Sequence, residues 1–169
     1  MQKNRFMTTK IATSEDFDLI YGLYMHPVIN PYLLYEQMEK AEFQPIFDDL
    51  ITRKIIYICY NDDLKAVGMF KLFQMPYRNA HISYLGGVAI HPDFGGKGFG
   101  KKMMQIVLNM CEEQGAKRIE LSTATTNINA IRLYESVGFE KEGVLRNYTF
   151  LKSENRYLDE MVMSYLYDV

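Results

Sequence analysis

The chain has 169 residues, of which 48% are hydrophobic and 24% charged, and a formal net charge of −2. These values are typical of one soluble globular domain that buries about 70% of its unfolded surface, so a single domain over residues 1–169 is predicted. The near-neutral charge provides no overall attraction to nucleic acid or to an anionic membrane, and no apolar run approaches the roughly 18 residues of a membrane span.

Strand and helix patterns alternate along the first half of the chain. A strand is predicted over residues 6–11, and a helix follows that is capped by Thr13 or Ser14 and acidic in its first turn. Two proline-containing turns precede a second helical region over residues 43–52. Runs rich in β-branched and aromatic residues then predict three more strands, at residues 55–60, 66–74 and 80–90.

The second half begins with an apolar helical stripe over residues 101–114, which ends at Gly115. The elements predicted after it are a strand at 118–124, a helix at 127–137 and a closing hairpin of strands at 139–150 and 156–167. Strand, helix and strand in the middle of the chain predict a right-handed crossover between parallel strands. The flanking strands are predicted to be antiparallel, so the fold class is α/β with a mixed sheet.

Four glycines lie within residues 95–100, between the predicted strand and the predicted helix. Glycine lets the backbone approach a ligand closely, and a helix N-terminus adds N–H donors and a positive dipole end. Together they predict a site for a phosphate or pyrophosphate. Lys97, Lys101 and Lys102 lie against the helix dipole, as expected if a bound anion offsets that arrangement. The alternative is a glycine-rich surface turn.

Two familiar phosphate motifs fail on spacing. A P-loop requires Ser or Thr after Gly-x-x-x-x-Gly-Lys, and here Lys102 follows residues 95–101. The dinucleotide fingerprint requires Gly-x-Gly-x-x-Gly, but the pattern starting at Gly96 ends on Lys101 and the one starting at Gly98 ends on Met103. Neither a magnesium nucleotide site of this type nor a dinucleotide site is predicted.

The glycine loop resembles the coenzyme A pyrophosphate loop of the GNAT N-acetyltransferases, Gln/Arg-x-x-Gly-x-Gly/Ala. Gly98 and Gly100 fit this pattern, and Gly95 stands where Gln or Arg is usual. Residues 127–139 are similar to the family's second motif, Asn-x-x-Ala-x-x-Leu-Tyr-x-x-x-Gly-Phe. The resemblance covers about residues 5–167. It implies the single-domain GNAT fold, whose mixed central sheet has a splayed parallel pair of strands and flanking helices, with acetyl-CoA as co-substrate.

The resemblance also implies which residues bind the co-substrate. Backbone groups of Val88, Ala89 and Ile90 pair with the pantetheine arm like an added strand. The preceding Gly86 and Gly87 indicate a bulge, or a packing requirement under a bulky neighbour. The side chain of Asn127 contacts the pantetheine arm, or simply caps a helix. The pyrophosphate is cradled by main-chain donors of the loop, namely Gly95, Gly96, Lys97, Gly98, Phe99, Gly100 and Lys101.

Tyr134 is the implied general acid, which offers its phenolic proton to the departing thiolate. A tyrosine pKa near 10 leaves it protonated at neutral pH. The alternative is a half-buried aromatic residue without a chemical role. The general base is left open, because Ser122 stands where some GNAT enzymes have Glu. Glu120 is the candidate, since it lies on the same face of its strand, and His81, Tyr84 or water are the alternatives.

The implied function is transfer of an acetyl group from acetyl-CoA to a primary amine of a small molecule or of a peptide or protein N-terminus. The alternative is a non-catalytic coenzyme A binding or sensing module on the same fold. Asp159 is a candidate partner for a cationic acceptor, or pairs structurally with Arg156 or Arg146. The residues expected to line the acceptor side are Tyr21, Tyr24, His26, Tyr32, Tyr35, Tyr148, Arg156, Tyr157 and Asp159.

The remaining expectations concern cellular setting and assembly. Cys59 and Cys111 are predicted to be small buried apolar residues, and no disulfide framework or metal site is indicated by the spacing of Cys and His. The polar start at residues 1–5 lacks the apolar core of a secretory signal, so a reduced, cytoplasmic setting is predicted. A homodimer through the C-terminal strands is implied by the resemblance alone.

Overall fold

The computed structural model describes residues 6–168, so the polar residues 1–5 used above lie outside the described part of the chain. The strands are β1 (Met7–Ile11), β2 (Ile56–Asn61), β3 (Ala66–Gln74), β4 (Ile82–Ile90), β5 (Arg118–Ala124), β6 (Glu140–Leu151) and β7 (Arg156–Leu166). The α-helices are α1 (Phe17–Tyr24), α2 (Lys40–Thr52), α3 (Phe99–Glu113) and α4 (Ile128–Ser136).

The strands form one mixed sheet in the order β1-β2-β3-β4-β5-β7-β6. β4 and β5 are the parallel pair, and their pairing runs from Ile82 opposite Arg118 to Tyr84 opposite Glu120. Beyond this point β4 continues to Ile90 and β5 to Ala124, with no further pairing between the two described strands. The predicted α/β class, with a mixed sheet and a parallel pair that separates, is confirmed.

Contacts between residues divide the chain into two compact units. Among the described residues, the first unit comprises 6–71 and 87–103, and the second comprises 72–86 and 104–168. β1 pairs with β2 and β2 with β3 in antiparallel register inside the first unit. The pairing of β5 with β7 and of β6 with β7 lies in the second.

Aromatic side chains of α1 and α2 form the core of the first unit. Phe43 is fully buried and contacts the rings of Tyr21 and Tyr24 at centroid distances of 5.7 and 5.5 Å. Phe17 meets Phe47 edge to face at 5.1 Å. Pairs of this geometry contribute about 0.5–1.5 kcal/mol beyond the burial of their area, so they hold the two helices in a defined relation.

Aromatic side chains pack at the C-terminal end of α4 in the second unit. Gly138 ends this helix with φ of 101°, a conformation that favours glycine. Phe139 follows and is buried between the rings of Tyr134 and Tyr165, each at 5.8 Å. The hydroxyl of Tyr167 donates to the carbonyl oxygen of Leu108 at 2.5 Å, which ties the segment after β7 to α3.

β6 is the last strand of the sheet order, and its residues 140–148 are all exposed. Its pairing with β7 is interrupted twice, between Lys141 and Gly143 and between Leu145 and Thr149. Within the second interruption Asn147 takes a left-handed conformation with φ of 49°, and its N–H donates to a carboxylate oxygen of Asp159 at 2.8 Å. The side chain of Asp159 therefore supports a bulge.

The largest differences from the predicted bounds are at the starts of α2, α3 and β4. The second helix begins at Lys40 rather than at 43, because Glu39 and Glu42 form a capping box that secures an earlier turn. The helix after the glycine loop begins at Phe99 rather than at 101. β4 begins at Ile82 instead of 80, since a 3-10 turn over Tyr77–Asn79 precedes it. Strands β3 and β5 have the predicted bounds.

Candidate functional site

The glycine loop connects β4 to α3 through a 3-10 turn over Pro92–Phe94. Gly96 and Gly98 have φ of 68° and 82°, the left-handed region that favours glycine. A Cβ atom at either position would meet nothing within 4 Å, so the backbone angle and not crowding requires glycine there. Gly95 has φ of −60°, which any residue adopts, and its departure from the family's Gln or Arg leaves the backbone path unchanged.

The loop presents a set of unpaired backbone donors. Within residues 6–168, no group accepts a hydrogen bond from the N–H of Gly96, Lys97, Gly98 or Gly100. The last of these belongs to the first turn of a 15-residue helix, where the N–H groups lack intrahelical partners and the dipole is positive. Successive N–H groups of this kind form a concave site for an anion such as a pyrophosphate.

The lysines around the loop differ in their surroundings. The ammonium group of Lys97 donates to the carbonyl oxygen of Asp93 at 2.7 Å and lies 5.7 Å from the ring centroid of Phe94. Its charge is therefore held beside the preceding turn. Lys101 is exposed and Lys102 is half-buried. The main-chain donors, rather than any one of these side chains, define the anion site.

The strand that leads to the loop has close backbone neighbours. Gly87 is left-handed with φ of 56°, and a Cβ atom there would lie 2.8 Å from the hydroxyl oxygen of Tyr24. A Cβ atom at Gly68 would lie 2.4 Å from the carbonyl oxygen of Ala89. Ala89 is buried, while Val88 and Ile90 are half-buried. Two features thus require glycine at position 87. Its backbone angle is left-handed, and the ring of Tyr24 packs against it.

Tyr134 lies in α4 and is 5% exposed. Its hydroxyl has no hydrogen-bond partner among residues 6–168. Burial raises its pKa well above the ordinary value of 10, and the nearby Tyr84 raises it further. Such a phenol keeps its proton at any working pH and is available as a donor.

Tyr84 and Ser122 meet across the parallel pair of strands. Burial raises the pKa of Tyr84, and a side-chain hydrogen bond with Ser122 partly counters this effect. The charges of Glu120 and Glu160 also act on Tyr84. Ser122 stands at the position where some GNAT enzymes have Glu. This part of the sheet therefore has the hydroxyl groups of Tyr84 and Ser122 in place of that carboxylate.

Asn127 occupies the N-cap position of α4, but its side chain makes no capping hydrogen bond. Its amide nitrogen donates instead to the hydroxyl of Thr123 at 3.2 Å. Asn127 is thus the N-cap residue of α4 by position, while its side chain does not cap the helix. Its side-chain oxygen has no partner among residues 6–168, so it remains able to accept a hydrogen bond from a ligand.

Glu120 is bound in an ion-pair network. Arg118 donates to Glu120 at 2.8 Å and to Glu142 at 2.6 Å, and Ser164 donates to the other carboxylate oxygen of Glu142 at 2.6 Å. The guanidinium of Arg118 thus already engages one oxygen of Glu120. The alternative base His81 has an exposed side chain, and its carbonyl oxygen accepts the N–H of Lys117.

Glu142 makes part of the stability of the fold dependent on pH. Hydrogen bonding by Arg118 lowers its pKa to about 2, with a further contribution from Ser164. A carboxyl group whose pKa is lowered by folding stabilises the folded state at any pH above its pKa in the unfolded chain. This stabilisation is lost as the pH falls from about 4.5 towards 2. We therefore expect Glu142→Gln to lower the melting temperature at pH 7 and to differ less from the wild type near pH 3.

Thermal melts across pH 2–8 measure this difference. The matched control is Glu140→Gln on the same strand, because Glu140 forms no ion pair with residues 6–168. Its melting temperature should follow the wild type at every pH. A gap between Glu142→Gln and the wild type that stays constant down to pH 2 would contradict the assigned partner.

Two acidic residues of β7 have contacts that the sequence does not predict. Asp159 was the candidate for contact with a cationic acceptor or with an arginine, yet its carboxylate accepts the backbone N–H of Asn147. Glu160, which the sequence analysis did not single out, accepts a hydrogen bond from Thr149 at 3.0 Å and acts on Tyr84. The register of β7 against β5, with Glu160 opposite Ala124, places Glu160 near Tyr84, and this register is visible only in the fold.

Three further observations concern metal ligands, cysteines and membrane spans. In the described part of the chain, no group of three or more His, Cys, Asp or Glu residues has the arrangement of a metal site. Cys59 and Cys111 are buried and free, as predicted. No helix within residues 6–168 has the length and hydropathy needed to cross a membrane.

Comparison with known proteins gives consistent family descriptions. The model of the acetyltransferase (GNAT) family matches residues 18–139. The SPbeta prophage-derived uncharacterized N-acetyltransferase YokL of Bacillus subtilis (strain 168) is 32% identical over 118 residues, or 69% of this chain. The spermine/spermidine N(1)-acetyltransferase of the same strain is 35% identical over 96 residues, or 54% of this chain. The chain spans 59% and 62% of the lengths of these two curated relatives.

Solved structures share the fold. A spermidine N-acetyltransferase from Vibrio cholerae, crystallised with CoA and spermine, superposes with a TM-score of 0.83 over 95% of both chains at 24% identity. The acetyltransferase yncA from Salmonella typhimurium with acetyl-CoA superposes with a TM-score of 0.77 at 18% identity. Identities this low establish the common fold alone.

Proposed function

The chain belongs to the acetyltransferase (GNAT) family, and from this premise we propose that it transfers an acetyl group from acetyl-CoA to a primary amine. The acceptor is a small molecule or the N-terminus of a peptide or protein. The observation that carries the proposal is the glycine loop, where four neighbouring N–H groups lack partners within residues 6–168 and two glycines hold left-handed angles. A pyrophosphate supplies the acceptor oxygens that such donors need.

The co-substrate supplies an activated thioester, and the chain supplies the groups that hold it. The loop residues 95–101 bind the pyrophosphate through their backbone. The backbone of residues 88–90 hydrogen-bonds the pantetheine arm, which fits the end of the β4–β5 pairing at Tyr84. The free side-chain oxygen of Asn127 accepts a further hydrogen bond from the same arm.

Tyr134 stabilises the sulfur that leaves. In the reaction the neutral acceptor nitrogen forms a bond to the acetyl carbon and releases its extra proton to water, while the carbon–sulfur bond breaks and the sulfur takes up the electron pair. Tyr134 acts as general acid by offering its phenolic hydrogen to this sulfur. A thiol has a pKa of about 8.5, well below the raised pKa of this phenol, so the proton stays mainly on Tyr134. The hydrogen bond from Tyr134 therefore stabilises the leaving sulfur more than complete proton transfer does.

The acceptor must lose a proton before it attacks, because an alkyl ammonium has a pKa of about 10.4. Tyr84 and Ser122 provide two neighbouring hydroxyl groups that can pass this proton to water. Glu120 is a weaker base candidate than its position in the sequence suggests, since Arg118 engages its carboxylate at 2.8 Å. Water with Tyr84 is therefore the favoured route.

The first experiment is a thermal-shift titration with acetyl-CoA, coenzyme A, ATP and NAD. A ligand at 100 times its dissociation constant stabilises the fold by about 2.7 kcal/mol. We expect a shift with acetyl-CoA and coenzyme A only, followed by release of free thiol when an amine panel is added. Absence of a shift with acetyl-CoA would contradict the cofactor assignment, and a shift with ATP or NAD would indicate a different nucleotide.

Substitution of Gly98 should weaken the binding of acetyl-CoA. An L-residue in the left-handed region costs about 1–2 kcal/mol, so Gly98→Ala favours other loop conformations and should raise the dissociation constant about 5- to 30-fold. Calorimetric titration with acetyl-CoA measures the change.

The matched control is Gly115→Ala. Gly115 has a similar φ of 78° and open space around it, but it follows the C-terminal end of α3. This variant should lose a comparable amount of stability and keep its affinity for acetyl-CoA. Equal affinities of Gly98→Ala and the wild type would remove the loop from the binding site.

A further inference from the structure

Lys71 is a half-buried cation in the apolar strand β3. It forms no hydrogen bond or ion pair with any of residues 6–168. Burial lowers the pKa of its ammonium group, and the positive charge of Arg53 lowers it further. A charge that is removed from water without a counter-ion is unfavourable, so this arrangement is better satisfied when an anion is present.

The hydroxyl of Tyr24 lies close to the same place. Tyr24 is 1% exposed, and its hydroxyl has no partner within residues 6–168. A Cβ atom built on Gly87 would lie 2.8 Å from this hydroxyl and 3.5 Å from the Cβ atom of Lys71, so both side chains border Gly87. Burial raises the pKa of Tyr24, which keeps the phenol protonated and able to donate.

Arg53, whose charge acts on Lys71, is itself paired with an acidic residue. Arg53 binds Asp49 at 3.5 Å, one turn earlier on α2. Asp49 therefore offsets the charge of Arg53, while Lys71 keeps its charge uncompensated. The Cβ atom of Lys71 and the hydroxyl of Tyr24 border the same glycine. An unpaired ammonium and an unpaired phenolic donor on these two side chains are the groups that bind an oxygen anion.

We propose that Lys71 and Tyr24 bind a carboxylate of the acceptor, so that the enzyme acetylates an amine that also carries a carboxylate, such as an amino acid. This inference rests on the proposed acetyltransferase function and adds the class of acceptor. Gly87 directly precedes the 88–90 segment assigned to pantetheine, so an acceptor anchored there lies beside the strand that carries the thioester. The unpaired cation disfavours a polyamine acceptor, although one relative is a spermine/spermidine acetyltransferase.

The test compares an amino acid with its α-amide, since these acceptors share the amine and differ in one negative charge. Hydrogen bonds to charged groups contribute about 1.5–3 kcal/mol, which corresponds to a preference of about 10- to 150-fold in kcat/KM for the acid. A panel of amino acids covers the unknown side chain. Equal or better use of the amides, or a preference for spermine, would overturn the proposal.

Lys71→Met keeps the apolar stem and removes the charge. It should abolish the preference for the acid by lowering the kcat/KM for the acid to near that for the amide, and Lys71→Arg should retain part of the preference. The control is Lys65→Met, because Lys65 is exposed before β3 and should leave both rates unaltered. If Lys71→Met lowers both rates equally, Lys71 acts on the thioester and not on the acceptor, and the proposal fails.

A binding measurement separates this proposal from the proposed function. N-acetyl amino acids and their amides are the expected products and their uncharged counterparts, and thermal shift measures their binding without turnover. The acid should stabilise the wild type more than the amide, and Lys71→Met should remove the difference. Loss of transfer to every amine with this binding difference intact would defeat the catalytic function alone, whereas equal binding of both products would defeat the carboxylate site alone.

Discussion

Tyr134→Phe is expected to lower kcat about 10²- to 10⁴-fold, the range typical of losing a positioned proton donor. The phenol is buried, has no hydrogen-bond partner within residues 6–168, and keeps its proton because burial raises its pKa. Its removal leaves the ring packing against Phe139 in place. The fold should therefore melt at nearly the wild-type temperature. Steady-state release of free thiol with a saturating amine measures the loss.

The affinity for acetyl-CoA should remain within a factor of about two in this variant, since the hydroxyl acts on the sulfur only as it leaves. Tyr165→Phe is the matched control, because Tyr165 packs on the other side of Phe139 and is assigned no role in the reaction. Unchanged kcat in Tyr134→Phe would exclude the general acid. Binding of acetyl-CoA by a wild type that acetylates no amine would instead favour the coenzyme A sensing module.

Gly68→Ala is expected to destabilise the fold by about 3 kcal/mol and to weaken the binding of acetyl-CoA. The added Cβ atom would lie 2.4 Å from the carbonyl oxygen of Ala89 and 2.9 Å from a methyl carbon of Ile90. The first neighbour is backbone, so the strand itself must shift. Since residues 88–90 are assigned to the pantetheine arm, stability and affinity should fall together. A decrease in melting temperature of about 6–12 °C follows for a chain of this size.

Gly22→Ala is the control for this prediction. Gly22 lies in α1, where a Cβ atom would meet nothing within 4 Å, so alanine should be neutral or stabilise the helix by about 0.5–1 kcal/mol. Melting curves and calorimetric titration of both variants provide the comparison. A Gly68→Ala variant with wild-type stability would show that the close approach of β3 to Ala89 is relaxed in solution.

The sequence predicts the fold well where its local patterns are strong. The bounds of β3 and β5 agree with the predictions, because β3 is a largely apolar run, β5 alternates between polar and apolar residues, and turn or loop residues end both strands. The two motifs around Gly98 and Tyr134 predict the family, and the family model confirms it. The start of α2 at Lys40 was not predicted, because Glu39 is not among the preferred N-cap residues.

The site is less predictable, because the partner of each polar side chain depends on strand register. Asn127 lies at the N-cap of α4, but its side chain binds Thr123, while Asp159 supports a bulge at Asn147. Lys71 could have been noticed as a charge inside an apolar strand, but its missing counter-ion is visible only in the folded chain. The homodimer and the cytoplasmic setting stay predictions.

The exposed strand β6 bears on how the protein resists self-association into fibres. A free sheet edge is a template on which another chain can add strand after strand. The two interruptions of its ladder and the left-handed Asn147 leave only short stretches of regular edge, and Glu140, Lys141 and Glu142 place charges on one of them. A strand from another chain would have to pair with an edge that is interrupted and charged. The interruptions and charges of β6 thus oppose the addition of a further chain at this edge.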